Sequence, residues 1–367
     1  MGDSKLFRPI KVGNLSLSHR IVLAPMTRYR SRERSHIPYV SIMKEYYAQR
    51  ASDPGTLLIT EATFIAQKAG IYKNAPGAWT QAQLSAWKEI TDAVHAEGSF
   101  IFCQLWALGR TADYIDFKEE NPSLDLVAPS AIKLTESVAR HHVRSPSMKS
   151  KSTLTFLHVP PSTPYRAGFD GVEVHGANGY LIDQFLQDVS NQRTDEYGGS
   201  IKNRVRFGLE VLDAVVKVIG PRRTGIRVSP WSTAQDMGMQ DLVPTFSYFV
   251  SEVKRKHPDL AYLHVVEPRV VIDRPKKASA LESNDFIRRI WAPKPLISAG
   301  GYTRESAMQT ADGKGDIIAF GRYFISNPDL TTRLKENIPF TPYDRSTFYL
   351  HGEVSEGHID YPFASEL

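Results

Sequence analysis

His175, Asn178 and Tyr180 lie close enough in sequence to hold and protonate a developing anion together. The run Val172-Glu173-Val174-His175-Gly176-Ala177-Asn178-Gly179-Tyr180-Leu181 reads as a buried strand that ends in a polar, glycine-bracketed turn. His175 and Asn178 are two donors that can share one oxyanion. Tyr180 adds a phenol, a proton donor of high ordinary pKa. Such a cluster at the end of a strand suits the C-terminal rim of a parallel barrel. On these residues alone, a strand cap with a surface tyrosine remains the alternative.

The elements that must position this cluster are legible along the chain. Ile21–Pro25, Leu57–Thr60, Phe100–Leu105, Gly171–Val174, Gly225–Val228, Ala261–Val266, Pro295–Ala299 and Ile317–Phe320 are short apolar runs that read as buried parallel strands. Between them, Thr80 and Gln83 form a capping box ahead of Leu84, Trp87, Ile90 and Val94 at helical spacing. Ser200 caps a helix with Val205, Leu209, Leu212 and Val216 inward. Asn327-Pro328 predicts a cap followed by a first-turn proline ahead of Leu330 and Leu334. About eight strand–helix units predict a (β/α)8 TIM barrel, one domain over 1–367. A doubly wound sheet is the runner-up, but Ile21–Pro25 leads into Met26-Thr27-Arg28 and not into a G-x-G-x-x-G turn.

The 367 residues are 41% hydrophobic and 23% charged, enough for a large core. The net charge of +5 is scattered apart from Arg28–Arg34 and Lys149–Lys151, which is no nucleic-acid footprint. No stretch reads as a membrane span or a signal core, and Gly2 has a poor myristoylation context. Cys103, the single cysteine, can form no internal disulfide and suits a reducing, cytoplasmic setting. Dispersed histidines lack metal-ligand spacing. A small-molecule substrate and a monomer or homodimer are expected.

Two segments break the alternation. Ala107–Glu136 is long, polar and proline-containing, which predicts a lid over the barrel mouth. His141–Arg166 falls where a barrel helix should precede the Gly168–Val174 strand, yet Pro160, Pro161 and Pro164 forbid a helix there.

Taken together, the motifs resemble the old yellow enzyme family of FMN-dependent ene-reductases, in its fungal branch. The resemblance rests on Leu23-Ala24-Pro25-Met26-Thr27-Arg28, Asn74-Ala75-Pro76-Gly77, Gln104-Leu105-Trp106 and the Gly168–Tyr180 run. It continues through Asp195-Glu196-Tyr197-Gly198-Gly199-Ser200, Arg227-Val228-Ser229-Pro230, Gly321-Arg322 with Ser326-Asn327-Pro328-Asp329-Leu330, and Tyr343-Asp344-Arg345. The order of these motifs is the family's, and they cover nearly all of the chain outside the odd segment.

The resemblance implies FMN as cofactor and NADPH as its hydride source. It places Pro25, Met26, Thr27, Glu61 and Ala62 along the flavin, with the Thr27 hydroxyl near a flavin carbonyl. Gln104 offers donor and acceptor to the pyrimidine edge, and Arg227 a cation for negative charge on the reduced ring. Gly300, Gly301, Gly321 and Arg322 match the phosphate position of barrels after the last two strands. Phe348 flanks the ring, and Tyr72 and Trp106 shape the substrate pocket. The implied reaction is reduction of an activated C=C bond, with His175 and Asn178 holding the carbonyl or nitro oxygen and Tyr180 protonating the α-carbon. An isomerase or oxidase of the same family, or an impaired barrel, stays open. Trp231–Asp236 departs from the family's aromatic/Gly pattern, which leaves substrate range undecided.

The family has a helix where this chain has His141–Arg166. With suitable synonymous codons, Met148–Arg166 read two bases out of frame can spell EVEEYVDLFARAAVNAVS, an amphipathic helix. His142–Ser147 can give PRPLTVD in the same way. The expectation is that His141–Arg166 is a frame-shifted stretch, from the gene sequence or a real lesion, with the barrel helix missing or remodelled. A natural loop insertion is the alternative, and the transcript decides between them. Loss of that helix would uncover apolar surface at roughly 1.5–3 kcal/mol per large side chain.

Overall fold

The computed structural model describes residues 4–135, 165–271, 274–275, 277–279 and 281–366. Eight short strands run parallel: β1 (Ile21–Leu23), β2 (Leu57–Ile59), β3 (Phe100–Trp106), β4 (Gly171–Gly176), β5 (Thr224–Val228), β6 (Tyr262–Val266), β7 (Leu296–Ala299) and β8 (Ile317–Phe320). Each pairs with the next, and β8 pairs with β1, which closes the cylinder. Every strand expected from the sequence is present, with ends shifted by no more than two residues.

Around it lie α1 (Val40–Ala51), α2 (Gln81–Ala96), α3 (Ile201–Ile219), α4 (Leu242–Lys256), α5 (Asp285–Trp291), α6 (Arg304–Lys314) and α7 (Leu330–Glu336). One of these follows each strand except β3. The expected anomaly, His141–Arg166, lies outside the described residues except for Tyr165 and Arg166, which sit in a helical turn.

Strand side chains alternate between two cores because successive Cβ atoms point to opposite faces. Val172, Ile226 and Leu263 face outward and share a cluster with Leu212, Phe246 and Ile287 of the helices. Val22, Phe102, Tyr262 and Ile297 face inward and form a second cluster with Val12 and Leu17. Those last two belong to an antiparallel hairpin, Ile10–Val12 with Leu15–Leu17, that plugs the N-terminal mouth. The inward rings fit because the neighbouring strands carry glycine. A Cβ at Gly225 would lie 2.4 Å from the Tyr262 ring, and one at Gly171 2.4 Å from the Phe102 ring.

The helix ends follow their caps with one exception. Thr80 and Gln83 form the expected capping box on α2, and the Ser200 side chain accepts from Asn203 N–H on α3. Asn327-Pro328 does not open α7, which begins two residues beyond the proline with Asp329 at its cap. Asn327 is fully buried and instead accepts from Thr341 N–H at 2.7 Å, so it ties down the C-terminal segment. Tertiary hydrogen bonding claims this amide before the helix can.

The expected lid contains a short helix, Tyr114–Glu120, capped by Asp113. It is fastened at the C-terminal rim: Ala107 O accepts from Leu181 N–H, and Arg110 donates to the carbonyl of Gln235 at 2.9 Å. No helix among the described residues is long and apolar enough to cross a membrane.

Thr80→Ala removes one half of the α2 capping box. The unfolding free energy should fall by about 1 kcal/mol in a chemical denaturation curve.

Candidate active site

β4 delivers its last residues to the rim, and the turn after it is clamped from several directions. Asn178 adopts φ +58°, a left-handed conformation that asparagine tolerates better than most residues. Its N–H donates to Ser229 Oγ at 2.7 Å, and Gly179 N–H donates to Asp183 Oδ2 at 2.8 Å. Gly179 has φ +78°, and a Cβ there would meet Gln235 Cβ at 2.5 Å, so only glycine fits. Gln184 is fully buried and links this turn to the lid. It donates to Gly179 O and Leu108 O and accepts from Arg110 N–H.

The imidazole of His175 has a defined tautomer. Ala177 N–H points at its Nδ1 at 3.3 Å, so the ring proton sits on Nε2 and is free to be donated. Burial, reinforced by the charge of Arg227, holds its pKa well below the ordinary value, so the ring is neutral. The Tyr180 ring stands edge-on to His175 with centroids 5.0 Å apart. Behind it, Trp106 is 5.0 Å from Tyr180, stacked on Phe64 at 4.8 Å and edge-on to Tyr72 at 5.5 Å. Tyr72 is tied to the lid through its hydroxyl, which donates to Thr111 O at 2.6 Å. Trp106 is only 1% exposed, so its ring is the wall that fixes Tyr180.

Below the rim the barrel interior turns polar. Gln104 on β3 is in register with Glu173 on β4, and its Nε2–H donates to Glu173 Oε1 at 2.7 Å. Glu173 Oε2 accepts from His264 Nδ1 on β6 at 2.8 Å. Arg227 on β5 is in register with both His175 and His264. Its Nε is buried without a protein partner, and so is Asn178 Oδ1.

A cavity opens beside Arg227 toward β7 and β8. Met26, Gly300, Gly301, Gly321, Arg322 and Tyr323 are among its walls. Gly300 and Gly301 have φ +144° and +63°, and a Cβ at Gly321 would meet Met26 Sδ at 2.6 Å. Arg322 leans on Tyr343, donating to its hydroxyl at 3.2 Å. A glycine-lined pocket with an arginine at its mouth suits a phosphate, and the unpaired Arg227 Nε suits an anionic or carbonyl edge.

Comparison with known proteins gives the family of the chain. The NADH:flavin oxidoreductase / NADH oxidase family matches residues 5–341. The chain is a member of that family. A chanoclavine-I aldehyde reductase of Penicillium roqueforti, fgaOx3, is 48% identical over 99% of this chain and 98% of its own. An NADP-dependent oxidoreductase of Aspergillus flavus, lnbE, is 44% identical over 99% and 97%. The crystal structure of Old Yellow Enzyme from a Pichia species superposes with a TM-score of 0.89 at 38% identity, covering 100% of this chain and 95% of that one. These relatives place it in the fungal branch of the old yellow enzymes, whose cofactor is FMN.

The residues expected to hold FMN divide by location. Met26, Arg227, Gly300, Gly301, Gly321 and Arg322 line this cavity together. Pro25 and Thr27 continue the same rim segment, and Gln104 lies in the barrel floor beside it. Phe348 is 1% exposed and its carbonyl accepts from Arg28 Nε. The Glu61 carboxylate accepts from Arg28 N–H at 3.1 Å and so joins the β1 loop to β2. Ala62 is buried in the outer core.

Sequence reading missed Glu173, His264, Asp183, Gln184 and Ser229 as parts of the site. The signal was present for two of them: a carboxylate in Val-Glu-Val and an imidazole in Leu-His-Val are anomalies in strands buried on both faces. Among the described residues there is no group of three or more acidic, histidine or cysteine side chains able to hold a metal.

Asp183→Ala leaves Gly179 N–H and Gln187 Nε2 without their acceptor. About 1–3 kcal/mol of stability should be lost, read by denaturant titration. Acid should also destabilise the fold. Burial lowers the pKa of His19 to about 4 and those of His175, His264 and His358 below the ordinary value. On unfolding these rings take up protons below pH about 6.5. Burial raises Glu61 to about 7 and Asp183 to about 6, so those two act in the opposite sense. Four imidazoles, opposed by these two carboxyls and by the raised His95 and Asp53, still give net proton uptake on unfolding near pH about 5.5, so stability drops as pH falls through this range. Melting temperatures at pH about 7.5 and about 5.5 check the sign.

Proposed function

We propose that the chain reduces an activated C=C bond, an enone or enal, with NADPH as the electron source. The supporting observation is the meeting of the His175 Nε2–H donor, the Asn178 turn and the Tyr180 ring at one point of the rim, beside the cavity lined by Arg227. Met26, Arg227, Arg322 and the glycines of the cavity would hold FMN, which when bound would supply the hydride chemistry that links nicotinamide oxidation to alkene reduction. His175 and Asn178 hold the substrate's carbonyl oxygen and withdraw electrons from the double bond. Neutral His175 suits this task, since it donates a hydrogen bond without giving up its proton. Tyr180 delivers the proton to the α-carbon, and its ring is held for that purpose between His175 and Trp106. The Phe64–Trp106–Tyr72 wall and the fastened lid keep water from the reacting atoms.

Among activated alkenes, an unsaturated aldehyde is the substrate class favoured by the name of the Penicillium roqueforti relative. The choice of NADPH draws on the Aspergillus flavus relative's NADP dependence.

Purified protein should be yellow, or become so when FMN is added, and should consume NADPH in the presence of an enal. A folded, colourless chain that takes up no FMN overturns the reading. Tyr180→Phe should slow alkene reduction by roughly 10²-fold or more while flavin reduction by NADPH is spared. Equal loss in both half-reactions, resolved by stopped-flow absorbance, contradicts the role given to Tyr180.

A further inference from the structure

Glu173 is a charged group of the barrel interior with no exposed surface. A carboxylate there is costly unless every oxygen is paired. Both are: Oε1 accepts from Gln104 Nε2 and Oε2 from His264 Nδ1. Burial works against its ionisation, but His264, Arg227 and Gln104 outweigh burial and the carboxyl titrates below its usual range. Burial lowers the pKa of His264 against the opposing pull of Glu173, and the Arg227 charge adds to the effect of burial.

Two consequences follow for groups that face the cofactor. The planar amide of Gln104 can present its Nε2–H to Glu173 in only one orientation, so its Oε1 is turned away from the carboxylate. Reversing the amide would set two acceptors against each other. Arg227 has its charge partly offset by Glu173 from the next strand.

We propose that Glu173 is a positioning residue for the flavin: from beneath, it sets which end of the Gln104 amide meets the ring and how much of the Arg227 charge the ring feels. This rests on the FMN-dependent reading above. Glu173 touches neither substrate nor reacting atoms. It acts through two side chains that do face the cofactor, and through electrostatics in a low-dielectric interior.

The test is a pair of substitutions in the full-length holoprotein, read by FMN dissociation and by the midpoint potential of the bound flavin. Glu173→Gln removes the negative charge and leaves Arg227 uncompensated, so reduced flavin is favoured. The potential should rise by at least about 30 mV, equal to a tenfold shift in a two-electron equilibrium. Glu173→Asp keeps the charge but withdraws the acceptor from Gln104. Its potential should stay near that of the parent while FMN dissociates at least tenfold more readily. A purely structural role predicts lower melting temperatures for both variants with no change in potential. An unchanged potential in Glu173→Gln overturns the proposal. Should that variant not fold, parental FMN affinity in Glu173→Asp overturns it equally. If the parent protein itself binds no FMN, the functional reading fails, and that outcome is visible before any variant is made.

Discussion

A carboxylate at the centre of a protein survives only if its neighbours deliver partners to it, and Glu173 receives them from separate strands of the cylinder. Gln104 comes from β3 and His264 from β6, while Arg227 on β5 supplies the compensating charge. None of these is near Glu173 in sequence, the closest being more than fifty positions away. Only a closed ring in correct register brings them to one height. The polar floor is thus a consequence of barrel closure, and it constrains closure in turn: a strand slipped by one residue would turn its polar side chain into the helix layer.

Above that floor the site is built by restraint more than by contact between its reactive groups. Asn178 is held in a left-handed turn by Ser229 from the loop after β5 and by the acidic first turn of the helix that follows Tyr180. Tyr180 is held by rings from β3 and β4, and the β3 ring is braced by Tyr72, whose hydroxyl donates to Thr111 O in the segment after β3. Gln184 connects the turn to the lid through three hydrogen bonds. The geometry of two donors and one phenol therefore depends on loops from four places in the chain.

Much of this was legible in the residues. Each barrel strand is a compact apolar run, and parallel strands buried on both faces have that composition by necessity. The Thr80–Gln83 box and the Ser200 cap are local hydrogen-bond patterns and were readable as such. The Asn327-Pro328 pair misled because the same amide that could cap a helix is used by Thr341 from a distant segment. Glu61 was placed with the flavin on family resemblance, and the structure adds that its carboxylate accepts from the Arg28 N–H of the adjoining loop. The expected replacement at His141–Arg166 lies almost wholly outside the described residues.

The sequence by itself determined the number and type of the barrel strands and brought His175, Asn178 and Tyr180 together as candidates, because these depend on local pattern and on short spacing. The tertiary structure decided which tautomer His175 carries, which way the Gln104 amide is turned, and that Glu173 and His264 belong to the site at all. Those are properties of hydrogen bonds and charges between strands far apart in the chain. Their energies depend on distance and dielectric, neither of which exists until the cylinder has closed and excluded water.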